Sequence, residues 1–122
     1  MHARALTEQL KSLLGEAAFV ALAEAFGGTR LYVPHTIPAD HEIARAIGIE
    51  AAARLSKRLA PDTIRMPLAR ELRARHYRAH NLSNAAIARK LGLTEGGVEK
   101  LFKRMDNPPA KGSAGQLHLF ER

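Results

Sequence analysis

The chain has 122 residues, no cysteine, few aromatic residues and a formal net charge of +7. That length suits one compact domain or two small ones sharing a core. The missing cysteines exclude a disulfide framework, a thiolate metal site and a cysteine nucleophile, and no apolar run approaches the roughly 20 residues that span a bilayer. The opening MHARALTEQL lacks the apolar core of a signal peptide, so a cytoplasmic location is expected.

Residues 3–26 read as helix with a hinge at Gly15. Leu6, Leu10, Leu13, Leu14 and Ala17 form one stripe, which Phe19, Leu22 and Phe26 continue. Gly27-Gly28 ends this helix. TRLYVP (29–34) then alternates and closes on proline, a strand signature with Leu31 and Val33 on one side and Arg30 and Tyr32 on the other. After a loop over 35–39, Asp40 is the expected cap of a helix over 41–59, in which Ile43, Ile47, Ala51, Leu55 and Leu59 share a face. A second strand, DTIRMP (62–67), follows, with Ile64 and Met66 as its inward residues.

The chain repeats itself here. Residues 25–34 align with 58–67 at an offset of 33, each copy being a helix end, a breaker pair, a short strand and a proline. Two copies are too few for a solenoid, but they supply two strands of one small sheet. A two-stranded ribbon is marginal alone and would be steadier if two subunits each contributed strands. Leu31, Tyr32, Val33, Ile64 and Met66 are therefore the candidate ribbon and dimerisation residues.

Residues 68–80 read as a helix with Leu68, Leu72, His76 and Ala79 on one face and Arg70, Arg73, Arg75 and Arg78 around the rest. Asn81-Leu82-Ser83 breaks it, with Ser83 or Asn84 capping the next helix. In NAAIARKLGLTEGGVEKLFKR (84–104), Ile87, Ala88 and Leu91 share an apolar face, Gly92 ends a helix and Thr94 caps a second, whose inward residues are Val98, Leu101 and Phe102. A small residue, a turn glycine, a buried Val and a buried Leu fall at helix-turn-helix offsets, although an ordinary αα-hairpin shares the pattern. Charge separates the two readings. Residues 1–68 carry eight Lys/Arg against seven Asp/Glu, whereas 69–122 carry eleven against five. A basic excess beside such a pair points to double-stranded DNA.

On the second helix of the pair, Thr94, Glu95, Gly96, Glu99, Lys100, Lys103 and Arg104 are the expected exposed positions. Lysine reaches guanine edges or phosphates, and glutamate accepts from cytosine N4. With Ser83, Asn84, Arg89, Lys90 and Gly97 they make the candidate DNA-binding set. Gly96-Gly97 serves either close approach to the groove or simply a tolerated helix start. His76 and His80 have a metal-compatible i, i+4 spacing, but Tyr77 stands where a zinc helix needs glutamate and no third ligand is evident, so neither metal nor cofactor is expected. No P-loop, dinucleotide fingerprint or nucleophile elbow is present, which argues against an enzyme. DNPPAKGSAG (106–115) reads as a flexible linker. Beyond it, Gln116, Leu117, Leu119 and Phe120 resemble the bacterial sliding-clamp-binding pentapeptide; the alternative is that Leu117, Leu119 and Phe120 pack on the protein's own dimer.

The chain resembles the Mor transcription activator family, the middle-operon regulators of Mu-like phages and prophages. The matching words are GGTRLYVP (27–34), DHEIARAIG (40–48), the second strand ending at Pro67, and IARKLGLTEGGVEKLFKRM (87–105). In the family pattern a glycine cluster precedes the strand that leads into the DNA-binding helices; here Gly27-Gly28 precedes the first strand copy and Ala60-Pro61 the second. The resemblance implies an intertwined homodimer with a strand ribbon against the minor groove, flanked by two helix-turn-helix units on a promoter dyad, and RNA polymerase as a partner.

The expected fold is mainly α: a helical, β-ribbon dimerisation region over 1–67, a tri-helical helix-turn-helix over 68–105 and a flexible tail over 106–122. The expected function is that of a sequence-specific, homodimeric transcription activator. The alternative is a DNA-binding adaptor that recruits the sliding clamp through QLHLF.

Overall fold

The chain runs α1 (Ala3–Leu14), α2 (Glu16–Phe26), β1 (Arg30–Val33), α3 (Glu42–Ile47), α4 (Ile49–Leu59), β2 (Asp62–Arg65), α5 (Arg70–Ala79), α6 (Asn84–Leu91) and α7 (Glu95–Arg104) in a computed structural model that describes residues 3–114. It is mainly helical with one small two-stranded antiparallel sheet. It divides between Ala69 and Arg70 into two compact units. Among the described residues no helix is long and apolar enough to cross a membrane.

In the first unit the expected hinge at Gly15 is present, at φ 86° and ψ 158°. The single helix expected over 41–59 is broken in the same way at Gly48, φ 89° and ψ 162°. Side-chain periodicity carries through this break because Ile43, Ala51 and Leu55 are buried on both sides of it, so the apolar pattern alone did not reveal it. The conformation itself is one that essentially only glycine adopts. The cap of α3 is also shifted by one residue. His41 Nδ1, not Asp40, accepts the hydrogen bond from the Ile43 amide, at 3.0 Å. Ala17 is exposed, since the turn at Gly15 ends the stripe that α1 begins.

The repeat seen over 25–34 and 58–67 extends through the whole unit. Helix, glycine, helix and strand occur twice; Gly15 and Gly48 lie 33 residues apart, as do the bounds of α2 and α4. β1 and β2 pair antiparallel with the repeat-equivalent Leu31 and Ile64 opposite each other, so the symmetry of the repeat centres on that pair. The helices cross-pack in the same sense, α2 on α3 and α1 on α4. This is the arrangement of a local two-fold, and both strands come from one chain. Leu31, Val33, Ile64 and Met66 are buried in a core with Leu10, Phe19, Leu22, Ile43 and Leu55, while Tyr32 is 56 % exposed. Two polar contacts tie the frame. The Ser56 hydroxyl lies 2.9 Å from the Pro34 carbonyl oxygen and 2.5 Å from that of His35, holding the exit of β1 on α4. Arg54 donates to the carbonyls of Leu13 and Leu14 at the end of α1, at 3.1 and 3.3 Å.

In the second unit α5 begins at Arg70, two residues later than expected, after Ala69 in a left-handed conformation. Its inner face is Arg73, Ala74 and Tyr77 rather than Leu68, Leu72, His76 and Ala79. Leu68 precedes the helix and packs over Gly28 in the first unit. The apolar spacing of Leu72 and His76 therefore indicated the wrong face, because the buried position beside Ala74 and Tyr77 is filled by an arginine.

Candidate nucleic-acid interface

The helix pair α6–α7 is closed at every junction by side chains of the expected kind. Ser83, rather than Asn84, caps α6, its Oγ accepting from the Ala86 amide at 3.2 Å. Gly92 takes the left-handed conformation that ends α6, and its amide and that of Leu93 both donate to the Ala88 carbonyl. Thr94 then caps α7, its Oγ1 accepting from the Gly97 amide at 2.9 Å. Ile87, Ala88, Leu91 and Val98 are buried between the helices, and Leu101 and Phe102 are half-buried behind them.

The opposite face of α7 is open. Thr94, Glu95, Gly96, Glu99, Lys100, Lys103 and Arg104 are all exposed, and so are Ser83, Arg89 and Lys90 at the ends of α6. The two glycines separate in role. A Cβ at Gly97 would stand 3.2 Å from Thr94 Oγ1, so its absence lets the capping hydroxyl close on the amide. At Gly96 the nearest atom would be 3.9 Å away, so packing does not demand a glycine there. Asn84 is half-buried, and its Oδ1 accepts a hydrogen bond from Arg78 Nη2.

The sequence places Arg70, Arg73, Arg75 and Arg78 around α5, and the structure gives three of them partners elsewhere in the chain. Arg73, 5 % exposed, donates from Nε to the Tyr77 hydroxyl at 3.1 Å and from Nη2 to the Lys90 carbonyl at 3.0 Å. That carbonyl belongs to the last turn of α6, where intrahelical donors run out and a cation is favoured. Arg78 places its guanidinium 4.9 Å from the centre of the Phe102 ring on α7. Arg75 donates to the carbonyls of Asp106 and Asn107, just past α7, at 2.6 and 2.9 Å. Residues 73, 75 and 78 point in different directions around the ten-residue α5, but their spacing does not say which of them meets a neighbour, because those partners lie elsewhere in the chain.

A second basic surface lies on the ribbon. Arg30 stands directly opposite Arg65 and Tyr32 opposite Thr63, all four on its exposed face. Like charges in register disfavour pairing unless an anion lies across them. The His76 and His80 rings stack at 4.2 Å, with His80 Nδ1 2.8 Å from the His76 carbonyl oxygen. Among the described residues no group of three His, Asp or Glu converges as a metal site would require. Gln116, Leu117, Leu119 and Phe120 lie outside the described residues. Comparison of the chain with known protein families, with curated proteins and with solved structures finds no match to any of them.

Proposed function

We propose that this protein is a sequence-specific DNA-binding transcription regulator of the Mor type, acting as a homodimer on a promoter dyad. In this reading α6, the Gly92 turn and α7 are a helix-turn-helix, and α7 enters the major groove. The observation that carries it is the exposed row on α7. Thr94, Glu95, Gly96, Glu99, Lys100, Lys103 and Arg104 line one face while Val98 is buried on the other. A polar row of this mixture reads base edges and phosphates together. Gly96, free of any packing demand, lets the backbone approach the groove.

The paired arginines of the ribbon, with Tyr32 beside them, supply a second phosphate contact of the kind the Mor resemblance implies. The two strands of the ribbon pair within one chain. Activation then proceeds through contact with RNA polymerase. The adaptor reading, with the sliding clamp held by Gln116–Phe120, rests on that pentapeptide alone.

The test is a salt titration of duplex binding by the wild type and two variants. Wild-type affinity should fall steeply with salt through counterion release. Lys103→Ala should weaken all duplexes alike and make the slope shallower by about one. Lys100→Ala should instead relax preference at one base pair. A salt-independent affinity would overturn the proposal.

A further inference from the structure

We infer that residues 105–112 are a strap that Arg75 latches to α5, and that this latch sets the pose of α7; Arg75 is a positioning residue for DNA binding. The inference rests on the DNA-binding reading of α7. Composition reads 106–115 as free linker, but the chain here is held at three points. Met105, the C-cap of α7, is buried. The carbonyls of Asp106 and Asn107 both accept from the Arg75 guanidinium. The Gly112 amide then donates to the Arg78 carbonyl, in the last turn of α5, at 2.9 Å. Asn107 itself turns at φ 55°, and Pro108-Pro109 stiffen the return toward Gly112.

The geometry gives the latch leverage. α7 packs mainly on α6, so its ties to α5 are side-chain ones. Arg78 on the Phe102 ring holds the last turn, and Arg75 holds the backbone immediately after it. A guanidinium at that place satisfies two carbonyls at once and faces the negative end of the helix dipole. Pro108 and Pro109 face Phe102 and Lys103 across an open pocket of about 550 Å³. The strap is thus braced near two of the residues that α7 offers outward, Lys103 and Arg104, without burying either.

The experiment compares full-length wild type, Arg75→Ala, Arg75→Lys and Gly112→Pro, first in duplex binding well below the melting temperature. Arg75→Ala should lose about tenfold in affinity, the scale of a broken hydrogen-bonded charge, with the salt slope unchanged. Arg75→Lys keeps the charge but not the two-pronged donor, so it should bind as poorly as Arg75→Ala. If Arg75 instead touched phosphate, lysine would restore most of the affinity and alanine would make the slope shallower, and either result would overturn the latch. Gly112→Pro removes the other anchor twice over, deleting the amide donor and forbidding the φ of 75° that the turn uses there, and its effect should not add to that of Arg75→Ala. Amide exchange reads the latch without DNA: protection over 103–105 should fall in Arg75→Ala while that of Ile87–Leu91 holds. Unchanged exchange with unchanged affinity would refute it. A wild type that binds no duplex would refute the DNA reading instead, and exchange alone would then judge the latch.

Discussion

In the first unit a two-stranded ribbon and four helices, arranged by an internal repeat, bury an aliphatic core with Phe19 at its centre. In the second unit three short helices bury fewer large side chains, and arginines of α5 brace the ends of the other two. The contrast follows from size and composition. A small helical unit with little apolar surface to bury gains cohesion by aiming cations at helix-end carbonyls that would otherwise need water. The first unit uses the same device once, where Arg54 meets the end of α1. On the DNA-binding reading proposed above, arginines that brace the fold are not available to phosphate, so the basic excess of residues 69–122 overstates the charge offered to a polyanion. Among the described residues of this unit the exposed Lys and Arg are Arg70 on α5, Arg89 and Lys90 at the end of α6, Lys100, Lys103 and Arg104 on α7, and Lys111 beyond it.

The sharpest way to break this comparison is Ile64→Asp. It places a carboxylate opposite Leu31 in the aliphatic core and should cost about 3–5 kcal/mol or prevent folding, read by chemical denaturation. A variant melting like wild type would mean that the inner face of the ribbon is assigned wrongly. In the second unit the matching experiment is Arg73→Met. It keeps the buried stem but removes the guanidinium donors to the Lys90 carbonyl and the Tyr77 hydroxyl, and it should cost about 2–3 kcal/mol. Amide exchange should show the loss in α5 and α6. A neutral effect would mean that the arginine contributes no more than an apolar side chain of its length. The third test concerns the repeat. Gly15→Ala and Gly48→Ala meet no neighbouring atom, so each should cost only its backbone strain, about 1–3 kcal/mol. Since the two glycines share φ and ψ to within a few degrees, the two strain costs should be alike, and, the sites being independent, the double variant should lose their sum. Clearly unequal losses would show that the copies have diverged in their energetics.

Much of this was legible in the sequence. Alternation with proline stops gave both strands and their inner faces, and a small set of cap and turn residues gave the α6–α7 pair, because those signals are local. The break at Gly48 was hidden, since its flanking helices bury a continuous row and periodicity does not register a kink that preserves it. The inner face of α5 was misread for a different reason. Apolar spacing finds buried residues only where burial is apolar, and Arg73 is buried by virtue of partners on another helix. The hydrogen bonds of Asp106, Asn107 and Gly112 to α5 are not visible in composition, because proline, glycine and asparagine mark a tight fixed turn as readily as a loose linker. What distinguishes the two is Arg75, thirty-one residues before Asp106. The candidate DNA-binding row was readable residue by residue, whereas the division of basic residues between bracing and outward charge was not, because it depends on tertiary hydrogen bonds.

The central claim is that the open face of α7 reads a specific DNA sequence, and the most direct measurement is a footprint. Purified protein would be titrated over the DNA flanking its own gene, alongside Lys100→Ala. The expected result is a discrete protected dyad that appears at low protein concentration and loses definition in the variant. Uniform coating of the duplex, or protection indifferent to Lys100, would contradict it.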